Sequence, residues 1–129
     1  MQTENYFFIR INKRNIKVNI ADILFIEAWK NYILINTKTK QYMILLSMRQ
    51  MEELLPSKSF CRIHRSFIIA VEHMTAFDNY SVYFGESKTV PIGEQYRNVL
   101  GERIKIVLSD VRKQAEMPVG NINFMETNN

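Results

Sequence analysis

The chain has 129 residues, of which 17 are Lys or Arg and 13 are Asp or Glu, giving a formal net charge of +4. A hydrophobic fraction of 47% with 23% charged residues is ordinary for a folded domain and excludes a wholly disordered chain. No run of about 18 apolar residues exists, which excludes a transmembrane helix.

Tyr6-Phe7-Phe8-Ile9-Arg10-Ile11 is aromatic and β-branched, as a strand prefers. Asn12-Lys13-Arg14 is short and polar and predicts a turn. Asn15–Ile20 then alternates, with Ile16, Val18 and Ile20 on one face and Asn15, Lys17 and Asn19 on the other. That is a strand with one wet side, and the two runs predict a hairpin. A third strand is expected at Ile23–Glu27. Tyr32–Asn36 and Gln41–Leu46 flank Thr37-Lys38-Thr39-Lys40 and predict a second hairpin. Its link has no Gly, so a loop longer than a tight primed turn is expected.

At Ser47 the period changes. Ser47 followed by Gln50 is a capping-box spacing. Met48, Met51, Leu54 and Leu55 then recur at helical intervals, and Pro56 ends the run. This predicts a two-turn helix over Met48–Leu55 whose methionines are core filler. Strand signals return at Phe60 and continue through Ser66–Val71, Met74–Phe77, Ser81–Phe84 and Lys88–Ile92, with a turn at Gly85-Glu86-Ser87. Glu94, Tyr96, Val99, Leu100 and Ile104 suggest a second helix beginning after Gly93, although Gly101 weakens it. Residues 109–129 have no periodicity and read as a poorly ordered tail. The expected fold is therefore mainly β, with about nine short strands and two short helices in one domain over residues 1–108.

Enzyme chemistry finds little support. Four glycines could hardly build a phosphate-cradling loop, and no nucleophile elbow is present. Cys61 and His64 are near in sequence, but Cys61 sits in an apolar run and reads as an ordinary semi-buried residue. Asp22 and Glu27 read as surface acids. A single cysteine cannot form an internal disulfide, and His64 with His73 cannot fill a zinc site, so no metal and no cofactor is expected. Met1-Gln2-Thr3-Glu4-Asn5 lacks the basic start of a secretory signal, and the cysteine usage suits a reducing, cytoplasmic setting. A pI near 9.3 hints at a polyanionic partner. The densest basic cluster is Arg62-Ile63-His64-Arg65-Ser66, which alone could also be a charged strand edge that discourages aggregation.

Five segments in order change that balance. They are Ala21-Asp22-Ile23-Leu24-Phe25-Ile26-Glu27-Ala28, Lys30-Asn31-Tyr32-Ile33, Ser47–Leu55, Phe60-Cys61-Arg62-Ile63-His64-Arg65-Ser66-Phe67-Ile68-Ile69, and Val90-Pro91-Ile92-Gly93. Together, over about Tyr6 to Leu108, the chain closely resembles the LytTR family of bacterial DNA-binding domains. The Pro91–Arg97 ending looks like the branch common in Bacteroidetes. The resemblance implies an elongated fold of about ten strands in small stacked sheets. It also implies a transcriptional regulator that reads double-stranded DNA with loops in successive major grooves, usually as the output half of a two-component response regulator behind a receiver domain. Targets would be two repeated half-sites bound by two copies, a homodimer on DNA.

Carried over by position, the resemblance puts a first reading loop at Lys30-Asn31-Tyr32 and a second at His64-Arg65-Ser66. In the first, an Asn31 amide could meet a base edge and Lys30 a phosphate or guanine; a plain strand connection is the alternative. In the second, Arg65 stands where the family places a DNA contact, and its guanidinium can pair with guanine. His64 either contacts DNA or holds the loop by hydrogen bonding. The third segment follows Pro91-Ile92. There Gly93-Glu94-Gln95 replaces the Arg that many relatives carry, leaving Gln95 or Arg97 to serve. Ala70 stands where many relatives have Asn, so a polar contact is missing. Trp29 is expected to be a packing anchor rather than a stacking platform. Lys13, Arg14 and Lys17 are read as an exposed turn. Three other readings remain: a protein-interaction module on the same scaffold, a small enzyme using Cys61/His64 or Asp22/Glu27, and a single-stranded nucleic-acid binder suggested by 12% aromatics on strands.

Overall fold

The computed structural model describes residues 5–108 and residue 116. The tail expected from residue 109 thus lies outside the described residues. Strands β1 (Tyr6–Ile11) and β2 (Arg14–Asn19) pair antiparallel with Ile11 opposite Arg14. The connection is therefore two residues, Asn12 and Lys13, with φ of 50° and 65°. Positive φ at both central residues gives a turn whose twist matches that of the strands it joins. Ile16 and Val18 face inward and Lys17 and Asn19 outward, as the alternation predicts.

A 3-10 turn at Ile20–Asp22 leads to β3 (Ile23–Trp29), β4 (Tyr32–Thr37), β5 (Gln41–Ile44) and helix α1 (Met48–Leu54). The chain continues through β6 (Phe60–His64), β7 (Phe67–Ala70), a 3-10 turn at Val71–His73, β8 (Ala76–Phe77), β9 (Ser81–Phe84) and β10 (Lys88–Pro91). It closes with a 3-10 turn at Glu94–Tyr96 and helix α2 (Val99–Arg103). The strands form three antiparallel sheets ordered β1-β2, β5-β4-β3-β7-β6 and β10-β9-β8.

The five-stranded sheet is covered on one face along all five strands and on the other over β3, β7 and β6. One core joins Ile26, Ile33, Ile35 and Ile68 to Ile9 and Val18 of the first hairpin and to Met48, Met51 and Leu55 around α1. The other joins Phe25, Cys61, Ile63 and Ile69 to Val82, Phe84, Val90, Ile92 and Leu100. Burial on two sides explains the unbroken apolar run Ile23-Leu24-Phe25-Ile26, since a strand with no wet face has no reason to alternate. A register shift between Ile23 and Phe25 is a β-bulge. It lets Ile23 serve the first core while the adjacent Leu24 and Phe25 both serve the second.

Helix α1 carries both halves of its capping box: Gln50 N–H donates to Ser47 Oγ and Ser47 N–H to Gln50 Oε1, each at 3.0 Å. Met48, Met51 and Leu55 are buried, but Leu54 is 61% exposed, contrary to the expected four-residue face. At about 100° per residue, Leu54 lies roughly 90° from the mean direction of the other three, beyond the stripe that the sheet covers. The Thr37–Lys40 link is a longer loop, as expected. Thr37 closes it by donating its main-chain N–H to Lys40 O (2.8 Å) and accepting Lys40 N–H at its hydroxyl (2.9 Å). The strand expected at Met74–Phe77 shortens to two residues after the Val71–His73 turn. The second helix is divided into the 3-10 turn and α2, separated by Arg97–Asn98, and Leu100 of α2 is buried in the second core.

Candidate nucleic-acid interface

The β3–β4 pairing ends with Trp29 opposite Tyr32, so Lys30-Asn31 is a two-residue turn. Lys30 has φ of 58°, a left-handed conformation that costs a non-glycine residue on the order of 1–3 kcal/mol. Trp29 is 45% exposed and Tyr32 39%. Ala28 is the last residue of β3 packed against a core. Trp29 lies past both cores and is not the packing anchor expected. Its ring instead receives Lys30 Nζ, 4.7 Å from the centroid, an exposed cation–π pair that fixes where the ammonium stands. Among the described residues, the Asn31 side chain has no hydrogen-bond partner.

The β6–β7 turn is more heavily built. A register shift interrupts the β6–β7 ladder between Arg62 and His64. His64 Nδ1 accepts the Ser66 main-chain N–H at 3.0 Å, and its ring meets Phe67 edge-on at 5.4 Å. The hydrogen bond and the ring contact tie the His64 imidazole into the turn. Arg62 donates from Nε to His64 O at 3.0 Å and from Nη2 to Arg65 O, while its Nη1 pairs with Glu52 Oε1 of α1 at 2.9 Å. The Arg65 side chain is exposed and, among the described residues, has no hydrogen-bond or ion-pair partner.

These turns stand together. Ala28 N–H donates to Ser66 O at 2.9 Å, and Glu27 pairs with Phe67, so the β3–β4 and β6–β7 turns lie at one end of the sheet. Gly93 N–H donates to Ile63 O at 2.8 Å, which brings the third segment alongside. A Cβ at Gly93 would stand 3.4 Å from His64 Cα and 3.1 Å from Tyr96 Cδ2, so glycine permits this close approach. A cleft of about 370 Å³ between the two segments is lined by His64, Arg65, Gly93, Glu94, Gln95 and Tyr96. Glu94 and Gln95 are exposed. Arg97 stacks over Tyr80 at 5.0 Å, which adds the β8–β9 loop to the same neighbourhood through the Ile92 N–H bond to Tyr80 O (2.8 Å).

Ala70 ends β7 at the strand terminus away from the turn and is 2% exposed within the first core. The polar contact missing there is therefore remote from the turns. Lys13 and Arg14 are exposed in the first hairpin, and Lys17 Nζ lies over Tyr6 at 4.3 Å. Cys61 is buried in the second core, and burial pushes its thiol above the ordinary value despite the nearby Arg103. A thiol buried in an apolar core with its pKa raised is not an activated nucleophile. Asp78 is held below the usual carboxylate range by the Tyr80 amide, the Tyr83 hydroxyl and the Ser81 amide. It shapes the β8–β9 loop that carries Tyr80. No cluster of three metal-ligating side chains occurs among the described residues, and no helix there is long and apolar enough to cross a membrane.

The comparisons with known proteins agree with this architecture. The profile of the LytTr DNA-binding domain matches residues 13–105. The chain is 28% identical over 101 residues to the sensory transduction protein LytT of Bacillus cereus and, equally, to that of Bacillus anthracis. Those matches cover 74% of this chain but 41% of each relative, so the chain spans less than half their length. It is 32% identical over 60 residues to the CO-responsive transcriptional regulator RcoM of Rhodospirillum rubrum, covering 46% of this chain and 25% of that one. In fold it is similar to the LytTr DNA-binding domain of a Bacillus cereus protein described as a methyl-accepting/DNA response regulator. That match has a TM-score of 0.65 at 24% identity, over 75% of this chain and 94% of that one. The chain belongs to the LytTr DNA-binding domain family and is a DNA-binding module rather than an enzyme.

Proposed function

We propose that the domain reads double-stranded DNA with the three segments at one end of its central sheet, entering successive major grooves. What supports this reading is the pair of main-chain bonds, Ala28 N–H to Ser66 O and Gly93 N–H to Ile63 O, because side chains that must meet one duplex have to share one side of the protein. Arg65 and Asn31 read base edges, since a guanidinium matches guanine and an amide matches adenine in the major groove. Lys30 takes a phosphate. Tyr32, Gln95 and Arg97 flank the two readers and contact the backbone, while His64 and Ser66 hold the second turn in shape. Phosphate contacts set the register and base contacts supply discrimination. In the whole protein the domain is the output half of a response regulator, with a receiver elsewhere in the chain, and two copies occupy two repeated half-sites.

The test is an Arg65→Ala variant titrated against an operator duplex recovered by selection from a random library, beside a scrambled duplex. Loss of a base-reading guanidinium costs on the order of 1–3 kcal/mol on the operator and relaxes discrimination. Operator affinity of the native domain falls with salt at a slope near −0.9 per phosphate neutralised. If Arg65→Ala binds both duplexes as the native domain does, the reading is wrong.

A further inference from the structure

Arg62 belongs to the densest basic cluster of the chain, yet its charge is turned inward. Its side chain is only 21% exposed, and each of its three guanidinium nitrogens already donates: to His64 O, to Arg65 O and to Glu52 Oε1. The two carbonyls belong to the turn that carries Arg65. The carboxylate belongs to α1, whose other side is buried against the first core through Met48 and Met51. A planar guanidinium gripped at three points transmits the position of α1 to that turn. The turn needs such support because the bulge between Arg62 and His64 interrupts the strand ladder where it would otherwise hold the backbone.

We propose that Arg62, anchored by Glu52, is a positioning residue that sets the backbone of the His64–Ser66 turn and so determines how sharply the domain discriminates its operator. This rests on the proposed reading of DNA by Arg65. Arg62 touches no base; it fixes the direction from which the Arg65 side chain leaves the turn. The geometry demands a fork. A lysine keeps the charge but presents one ammonium, which cannot bind two carbonyls and a carboxylate lying in different directions.

The experiment compares Arg62→Lys, Glu52→Gln and Arg65→Ala on operator and scrambled duplexes, with backbone amide spectra of each unbound domain. Arg62→Lys conserves charge, so scrambled-duplex affinity and the salt slope stay as in the native domain. Operator affinity falls on the order of tenfold, a part of what a bidentate base contact contributes. Glu52→Gln is the decisive variant, because the two explanations predict opposite signs. Removing a negative charge from a DNA-binding protein by itself raises affinity for any duplex, whereas loosening the anchor lowers operator affinity. A lower operator-to-scrambled ratio in both variants, with displaced amide signals at Arg65 and Ser66, supports the proposal. If Arg62→Lys does not fold, Glu52→Gln alone carries the test, since its carboxylate is half exposed. An unchanged ratio in Glu52→Gln, or equal losses on both duplexes, overturns the proposal. Loss in Arg65→Ala without loss in the other two overturns this inference alone. An Arg65→Ala that binds as the native domain does removes the reading and this inference with it.

Discussion

Replacing His64 in two complementary ways separates the functions combined in one imidazole. His64→Phe keeps a ring against Phe67, where the native pair stands at 5.4 Å with planes 73° apart, but it removes the acceptor of the Ser66 N–H. Ser66 is partly buried, and stranding a partly buried amide costs about 1–3 kcal/mol. For a domain of this size, 1 kcal/mol shifts Tm by about 4–8 °C. His64→Phe is therefore expected to lower Tm by about 4 °C or more and to weaken operator binding, because the turn bearing Arg65 loses a closing bond. His64→Asn does the reverse. Its side-chain oxygen can accept the amide two residues on, as Asn does in many turns, while the aromatic pair, worth about 0.5–1.5 kcal/mol beyond area burial, is lost. It should be destabilised yet discriminate operator from scrambled duplex nearly as the native domain does. Thermal melts and paired binding titrations at fixed salt measure both quantities. A His64→Phe domain with native Tm and native operator affinity would refute the holding role. A His64→Asn domain that keeps its Ser66 amide signal but loses operator binding would show that the imidazole itself meets DNA.

Other outcomes follow from the packing. Met51→Ala removes a fully buried side chain from the first core and should cost about 2–5 kcal/mol in denaturant unfolding, whereas Leu54→Ala, at 61% exposure, should cost far less; equal costs would mean that α1 is turned differently. Cys61 has its thiol value raised by burial. Stability is full below the ordinary thiol value and declines as pH rises from there towards the folded-state value, because the unfolded chain releases the proton first. Urea unfolding from pH 7 to 10 should show an alkaline loss that is smaller in Cys61→Ala, and an identical pH profile in the two proteins would contradict the burial argument.

Much of the fold is legible in single stretches of sequence. Alternation at Ile16, Val18 and Ile20 declares which face of β2 is wet, and Ser47 with Gln50 marks where α1 begins, because both signals are local. What is decided between distant segments is not. The bulge at Ile23–Phe25 is hidden in an apolar run that reads equally well without it. Trp29 looks like an anchor because aromatics usually are, and only the extent of the two cores shows that they stop at Ala28. Leu54 satisfies a helical period but falls outside the width of the sheet it would have to reach. At the interface, the basic cluster is visible as composition, whereas the inward turn of Arg62 and the outward one of Arg65 depend on a bulge and on a carboxylate from α1. The grouping of Asn31, Arg65 and Gln95 depends on two main-chain bonds between segments far apart in the chain, and the resemblance to known domains, rather than periodicity, singled them out.

The central claim is that one end of the five-stranded sheet meets the duplex. It is tested most directly by titrating isotope-labelled domain with operator duplex and following every backbone amide. The account predicts that the largest shifts fall together at residues 30–32, 64–66 and 93–97, with the Pro56–Ser59 loop and the Ile20–Asp22 turn little changed. Shifts concentrated at Pro56–Ser59 and Ile20–Asp22, with the three turns silent, would contradict it.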